Sequence, residues 1–285
     1  MNVKETKIIK TQKGHELSAT FYYPESELKA AVLIVSAMSV SQNYYSNFAS
    51  WLASKGYLVA SFDYLGMGES LSGRLKDVDV TILDWARNDC VAMVEALSNE
   101  VPDRPFYWLG HSLGGQVLGL VSNRERITKA ITIAAGSGYW RENSPQLKRR
   151  AWLLWYFAAP VVTRLFGYFP GKRLNMVGDL PKGVINQWRK WCLHPEYMIG
   201  VEGDSVRTLF ASAAMPITSI SFTDDELMSE KNISSLHGFY SAAAIDMIRI
   251  SPEMIGEQRI GHFGFFKQCF QETLWQTYLL AELEK

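Results

Sequence analysis

Apolar residues along this chain follow two periods that take turns. Thr6–Thr11 and Leu17–Tyr23 alternate with period two and read as an opening antiparallel pair turned at Gly14-His15. Ala30–Ser36 is a continuous apolar run, the mark of a strand buried on both faces. A helix is expected over Tyr44–Lys55, stopped by Gly56, and a second buried strand over Tyr57–Tyr64. Ile82, Ala86, Cys90, Met93 and Leu97 then recur at the spacing of one helix face. The series continues with strand Phe106–Gly110, helix Gly115–Ser122, strand Ala130–Ala135, strand Pro216–Phe222, a strand over Met247–Ile250 and an amphipathic helix over Phe265–Leu283. Such alternation predicts an α/β fold, a mostly parallel sheet with helices on both faces. Ligands on these sheets bind at the carboxyl ends of the strands.

Between Ser137 and about Ala211 the alternation stops, and Trp, Tyr, Phe and Arg accumulate. We read residues 137–211 as a mainly helical insertion, a cap over the strand ends, with 1–136 and 212–285 forming the core. Trp152, Trp155 and Tyr156 are candidates for a substrate pocket that accepts an apolar or aromatic group. The competing reading makes these aromatics the insertion's own core.

Composition narrows the partners. Lys+Arg and Asp+Glu both number 29, so no basic excess exists to displace counterions from a nucleic acid, and nucleic-acid binding is not expected. The expected partner is a small-molecule substrate, and a homodimer is compatible with the sequence. Cys90, Cys192 and Cys269 show no metal or redox spacing and are expected as buried reduced thiols. The amino terminus has no apolar segment of the signal-peptide kind, which points to a cytoplasmic protein. The apolar run Ala151–Thr163 falls short of the roughly 20 residues that a bilayer requires, and Arg164 follows at once. A buried or interfacial helix is expected there, without stable membrane insertion. With no ligand-spaced His/Cys/carboxylate cluster and no phosphate-binding Gly loop, neither metal nor other cofactor is expected.

The chemistry concentrates in Gly110-His111-Ser112-Leu113-Gly114, a G-x-S-x-G run after an apolar strand and before a helix. In that setting the serine occupies a strained strand-to-helix turn that lifts its hydroxyl above the sheet edge. The positive end of the following helix, with the Leu113 N–H, favours negative charge on a bound carbonyl oxygen. A serine hydroxyl is a weak nucleophile, so a base must take its proton and a third group must orient the base. His262, between the last strand and the last helix, has the chain position for that base; the other four histidines are expected in structural roles. The acid should end strand Pro216–Phe222, where Asp224 and Asp225 are adjacent and cannot both point at one ring. Asp225 is favoured, and Asp224 would then cap the turn. A second oxyanion donor comes from the loop after the third strand, where the backbone N–H of Met38 is the candidate.

Asp63–Ser70, the elbow at Gly110–Gly114 and the Gly-His-Phe-Gly run at 261–264 together resemble the α/β-hydrolase superfamily over essentially the whole chain apart from the insertion. Asp-Leu-Pro at 179–181, Gln187-Trp188, Trp191-Cys192 and residues 261–266 resemble a bacterial subgroup of predicted hydrolases with a helical cap. The resemblance implies an eight-stranded sheet, a Ser-His-Asp triad, no cofactor and a cap after the sixth strand. Hydrolysis of a carboxylic ester is the leading expectation for such a triad. Thioesterase, acyltransferase and aminopeptidase chemistry on the same triad stay open, as does a ligand-binding sensor that keeps the fold without turnover.

Overall fold

The computed structural model describes residues 3–176 and 178–285. Eight strands form one sheet: β1 Val3–Lys10, β2 Glu16–Tyr23, β3 Ala30–Val35, β4 Tyr57–Phe62, β5 Phe106–His111, β6 Lys129–Ile133, β9 Ile217–Phe222 and β10 Ile245–Ile250. The remaining two, β7 Tyr168–Phe169 and β8 Leu180–Pro181, make a small separate ladder inside the insertion. The sheet order is β1-β2-β4-β3-β5-β6-β9-β10. β2 pairs antiparallel with β1 and β4, and every other pairing is parallel.

Parallel strands covered on both faces need apolar residues in both directions, and β3 supplies them. Ala31, Leu33 and Val35 enter one core; Ala30, Val32 and Ile34 enter the other. The first core lies against the helix Val91–Glu100 and extends into the insertion through Trp155, Trp191, Tyr197 and Phe210. The second is closed by the helix Ser46–Ser54 and the C-terminal helical run, where Phe48, Phe266 and Trp275 pack edge to face.

Element boundaries depart from the sequence pattern in instructive places. The helix expected over Gly115–Ser122 is only Leu113–Gln116, followed by a 3-10 turn Leu118–Leu120. Within that turn Gly119 meets the Phe210 ring, which a Cβ would approach to 2.7 Å. The C-terminal helix starts at Gln271, not at Phe265, because Gly261–Gly264 forms its own short helical turn and a 3-10 turn, Gln268–Phe270, precedes the helix. Cys269 falls on that 3-10 turn and is exposed, whereas Cys90 and Cys192 are buried as expected; all three are free.

Between β6 and β9, Pro145–Leu153 runs through a π-helical turn, Leu154–Ala158, into Ala159–Phe166; Lys182–Leu193, Tyr197–Glu202 and Asp204–Ala211 follow. Among the described residues no helix is long and apolar enough to cross a membrane.

Asp89 lies in the first core on the π-helical turn Trp85–Cys90, with one carboxylate oxygen accepting the Leu65 N–H at 2.8 Å. Burial pushes its carboxyl up from the usual 3.8 to about 7, against the opposing pull of the Leu65 hydrogen bond. The folded state therefore binds a proton that the unfolded chain has released, and stability falls as pH rises through this window. Asp89→Asn should gain stability relative to wild type on going from pH ~4 to pH ~8, by at least about 1 kcal/mol, read by urea unfolding at both values. An unchanged difference at the two pH values would contradict the assignment.

Candidate active site

Ser112 follows β5 with φ 49° and ψ −110°, a backbone region that L-residues seldom enter. Two glycines make the turn sterically feasible. A Cβ on Gly110 would sit 2.5 Å from the Gly114 carbonyl oxygen, and one on Gly114 would sit 2.0 Å from the Val35 carbonyl oxygen at the end of β3. The turn is tied to β6 by the Ser112 N–H donating to Ile133 O at 2.9 Å, and the Trp108 indole N–H donates to Gly114 O at 3.0 Å. Packing of Gly114 on Val35 also sets the elbow against the loop that carries Met38. Among the described residues, the N–H groups of Met38 and Leu113 have no acceptor.

The base loop and the acid turn meet through three consecutive carboxylates. Asp225 Oδ2 lies 2.8 Å from His262 Nδ1, with both side chains 1% exposed. Its other oxygen accepts the N–H groups of Leu227 and Met228, each at 2.8 Å, which fixes the carboxylate plane. Asp224 accepts from the Ile260 N–H at 2.8 Å and the Gly261 N–H at 3.1 Å. Glu226 Oε2 accepts the His262 N–H at 3.1 Å and lies 3.5 Å from the Arg259 guanidinium. The aspartates do diverge as neighbouring side chains must, yet both serve the same loop: Asp225 holds the ring and Asp224 holds the backbone.

His111 is fully buried beneath this arrangement. The Ala37 N–H donates to Tyr45 Oη at 3.0 Å, the Tyr45 hydroxyl donates to His111 Nδ1 at 2.8 Å, and His111 Nε2–H donates to His262 O at 3.1 Å. Burial first, and then the neighbouring His262, push the His111 pKa well below its usual 6.5, so the ring stays neutral and keeps this donor pattern. This chain of bonds joins the loop after β3, the elbow and the base loop. Tyr45 and Glu226 went unmarked in the sequence. Glu226 had a visible signal in the run Asp224-Asp225-Glu226; Tyr45 had none.

Ser112, His262 and Asp225 thus lie on the elbow, the base loop and the acid turn at the carboxyl end of the parallel strands, with His262 and Asp225 hydrogen-bonded. The Ser112 hydroxyl has no hydrogen-bond partner among the described residues. The insertion residues are placed differently. Trp155 is buried against Trp188, with ring centroids 5.0 Å apart, while Trp152 and Tyr156 are about half exposed. A cavity of about 420 Å³ borders the Met38 loop at Ser39 and Ser41 and is closed by Met67, Leu71, Leu75 and Tyr168. None of the three aromatics lines it, and neither do Ser112, His262 or Met38, so it lies beside the catalytic residues and not over them.

The sheet order, elbow and acid–base pair define an α/β-hydrolase. A family described as serine aminopeptidase, S33 matches residues 26–175, and the chain belongs to that family. Mouse monoglyceride lipase is 27% identical over 109 residues, 38% of this chain and 35% of that protein, so the match spans about a third of the relative's length. Among solved structures, a thermostable carboxyl esterase from Bacillus coagulans superposes with TM-score 0.64 at 13% identity, covering 99% of this chain and 98% of that one. A soluble variant of the Saccharomyces cerevisiae monoglyceride lipase, in complex with a substrate analogue, gives TM-score 0.62 at 15% identity over 87% and 86% of the two chains. At these identities the superpositions establish the fold.

Tyr45→Phe removes the hydroxyl that serves both Ala37 and His111 and leaves two buried polar groups unpaired. It should cost about 1–3 kcal/mol of unfolding free energy. A loss below about 0.5 kcal/mol, within the spread of ordinary surface substitutions, would show that the chain of bonds is not formed in solution.

Proposed function

We propose that the protein hydrolyses carboxylic esters of small substrates through an acyl-enzyme on Ser112. The observation that carries this reading is the buried Asp225–His262 hydrogen bond, which engages Nδ1 and leaves Nε2 without a protein partner among the described residues. Ser112 Oγ attacks the carbonyl carbon as Nε2 takes its proton, and the tetrahedral oxyanion is held by the Met38 and Leu113 N–H groups. His262 passes the proton to the departing alkoxide. It then draws a proton from water, whose attack on the acyl carbon frees the acid and returns Ser112 its hydrogen. Asp225 keeps the ring in one tautomer and stabilises the positive charge that develops on it.

Residues 137–211 act as the cap in this reading, supported by their insertion between β6 and β9 and by Tyr168, Lys172 and Asp179 closing the cavity. The cavity's Met67, Leu71, Leu75 and Tyr168 accept the apolar part of the substrate, a role the sequence pattern had pointed to in Trp152, Trp155 and Tyr156. The family description also raises aminopeptidase activity. The neighbouring cavity, with Arg74, Lys76 and Lys172 against Asp179, is a poor setting for a substrate's ammonium group. The free, buried thiols of Cys90 and Cys192 fit a reducing, cytoplasmic setting.

Ser112→Ala should abolish fluorophosphonate labelling and lower turnover of a short p-nitrophenyl ester by about 10⁴-fold or more. Near-normal esterase activity in that variant would remove Ser112 from the mechanism. A panel of esters, thioesters and aminoacyl anilides should rank the esters first; anilides ranking first would favour the aminopeptidase reading.

Asp225→Asn should lower turnover by about 10³–10⁴-fold, because the amide cannot hold the productive tautomer, whereas Asp224→Asn keeps one backbone-accepting oxygen and should lose far less. The opposite ranking in steady-state kinetics would move the orienting role to Asp224.

A further inference from the structure

From Ala151 to Phe166 the outer helical run carries apolar residues on both sides. Ala151, Trp155, Ala159 and Thr163, four residues apart, face the core. The opposite face carries Trp152, Leu153, Tyr156, Phe157, Val161 and Leu165, all exposed, with Leu165 at 75%. A helix that turns an apolar face outward for this length has left it for something other than water.

Charge indicates what. Lys148, Arg149, Arg150, Arg164, Lys172 and Arg173 are all exposed, and no Asp or Glu occurs between Pro145 and Met176. The whole chain is neutral, so this excess is local. Among the described residues none of the six cations is in an ion pair, and the Arg173 guanidinium lies over the Phe166 ring at 5.9 Å. An apolar helix face with Trp and Tyr among its residues, and with cations but no carboxylates along its own stretch of chain, matches the interface of a bilayer that contains anionic lipid. A second copy of the chain fits poorly, since a two-fold pairing would bring two cationic rims together.

We propose that the outer face of this helix, with the basic loop at Lys172 and Arg173, docks on an anionic membrane surface. The helix lies in the headgroup region and does not span. Tyr168 contacts Phe166 on this face, ring centroids 6.4 Å apart, and also lines the cavity beside the Met38 loop, so docking brings the cavity to the lipid boundary. The proposal does not depend on the hydrolytic reading, because lipid binding is measured without turnover.

The test is co-sedimentation of the full chain with vesicles of phosphatidylcholine alone and of phosphatidylcholine mixed with phosphatidylserine. Wild type should bind the anionic vesicles at least about tenfold more tightly, and added salt should weaken that binding. Two triple variants at exposed positions, Leu153→Ser with Phe157→Ser and Leu165→Ser, and Arg149→Gln with Arg150→Gln and Arg164→Gln, should each weaken it about tenfold or more while circular dichroism stays unchanged. No binding of wild type to the anionic vesicles, or equal binding by the variants, overturns the proposal. So does a concentration-dependent dimer, seen by sedimentation velocity, that the apolar triple variant dissolves, since the face would then belong to a second copy.

Discussion

The backbone at Ser112 can hold its strained conformation only because Gly110 and Gly114 let three segments approach where side chains would collide. The carbonyl of Val35 presses on Gly114, and the Ser112 N–H is taken by Ile133, so β3, β5 and β6 converge on one residue. Everything else in the site is arranged around that point. The loop after β3 carries the unspent Met38 N–H because β3 ends against the elbow. The buried His111 ring fills the space beneath and ties the elbow to the base loop.

The base loop is held by side chains, not by regular structure. Its hydrogen bonds to Asp224, Asp225 and Glu226 reach two backbone donors, one ring and one further backbone donor in turn. These are bonds to carboxylates, stronger than neutral ones, and they suit a segment that must stay in register without a strand or long helix to fix it. Asp63 does the same for the opening of the sheet. Its two oxygens accept the Gln42 N–H at 2.8 Å and the Glu69 N–H at 3.0 Å, joining the loops that follow β3 and β4.

The sheet was legible because parallel strands buried on both faces leave long apolar runs, and Ala30–Ser36, Tyr57–Tyr64 and Phe106–Gly110 are of that kind. The position of Ser112 on a strained turn and of His262 beside Asp225 was legible because the glycine spacing and the chain order reflect steric and topological needs. Helix boundaries were less so: the short helix after the elbow ends at Gln116 and gives way to a turn packed against Phe210, some ninety residues on, and no local pattern encodes such a contact. The Tyr45 hydroxyl was invisible for the same reason, since its partners are Ala37 and the distant His111. The aromatic insertion was open to two readings, since hydrophobic content speaks of burial and exposure equally, and the structure divides it, with Trp155 inside and Trp152 and Tyr156 outside.

The shared core between sheet and insertion limits how the insertion can move. Its second half is bolted down: the Tyr197 hydroxyl donates to Gln116 beside the elbow at 2.8 Å, and Phe210 lies on Gly119. Its first half rests on the stripe Ala151, Trp155, Ala159 and Thr163, together with the bond from the Arg189 side chain to Trp155 O. A rigid swing of the entire insertion would tear open the main core. The start of the outer helix is joined to the acid turn, where the Ser144 hydroxyl donates to Glu226 O, so the insertion and the segment that orients the base share one anchor.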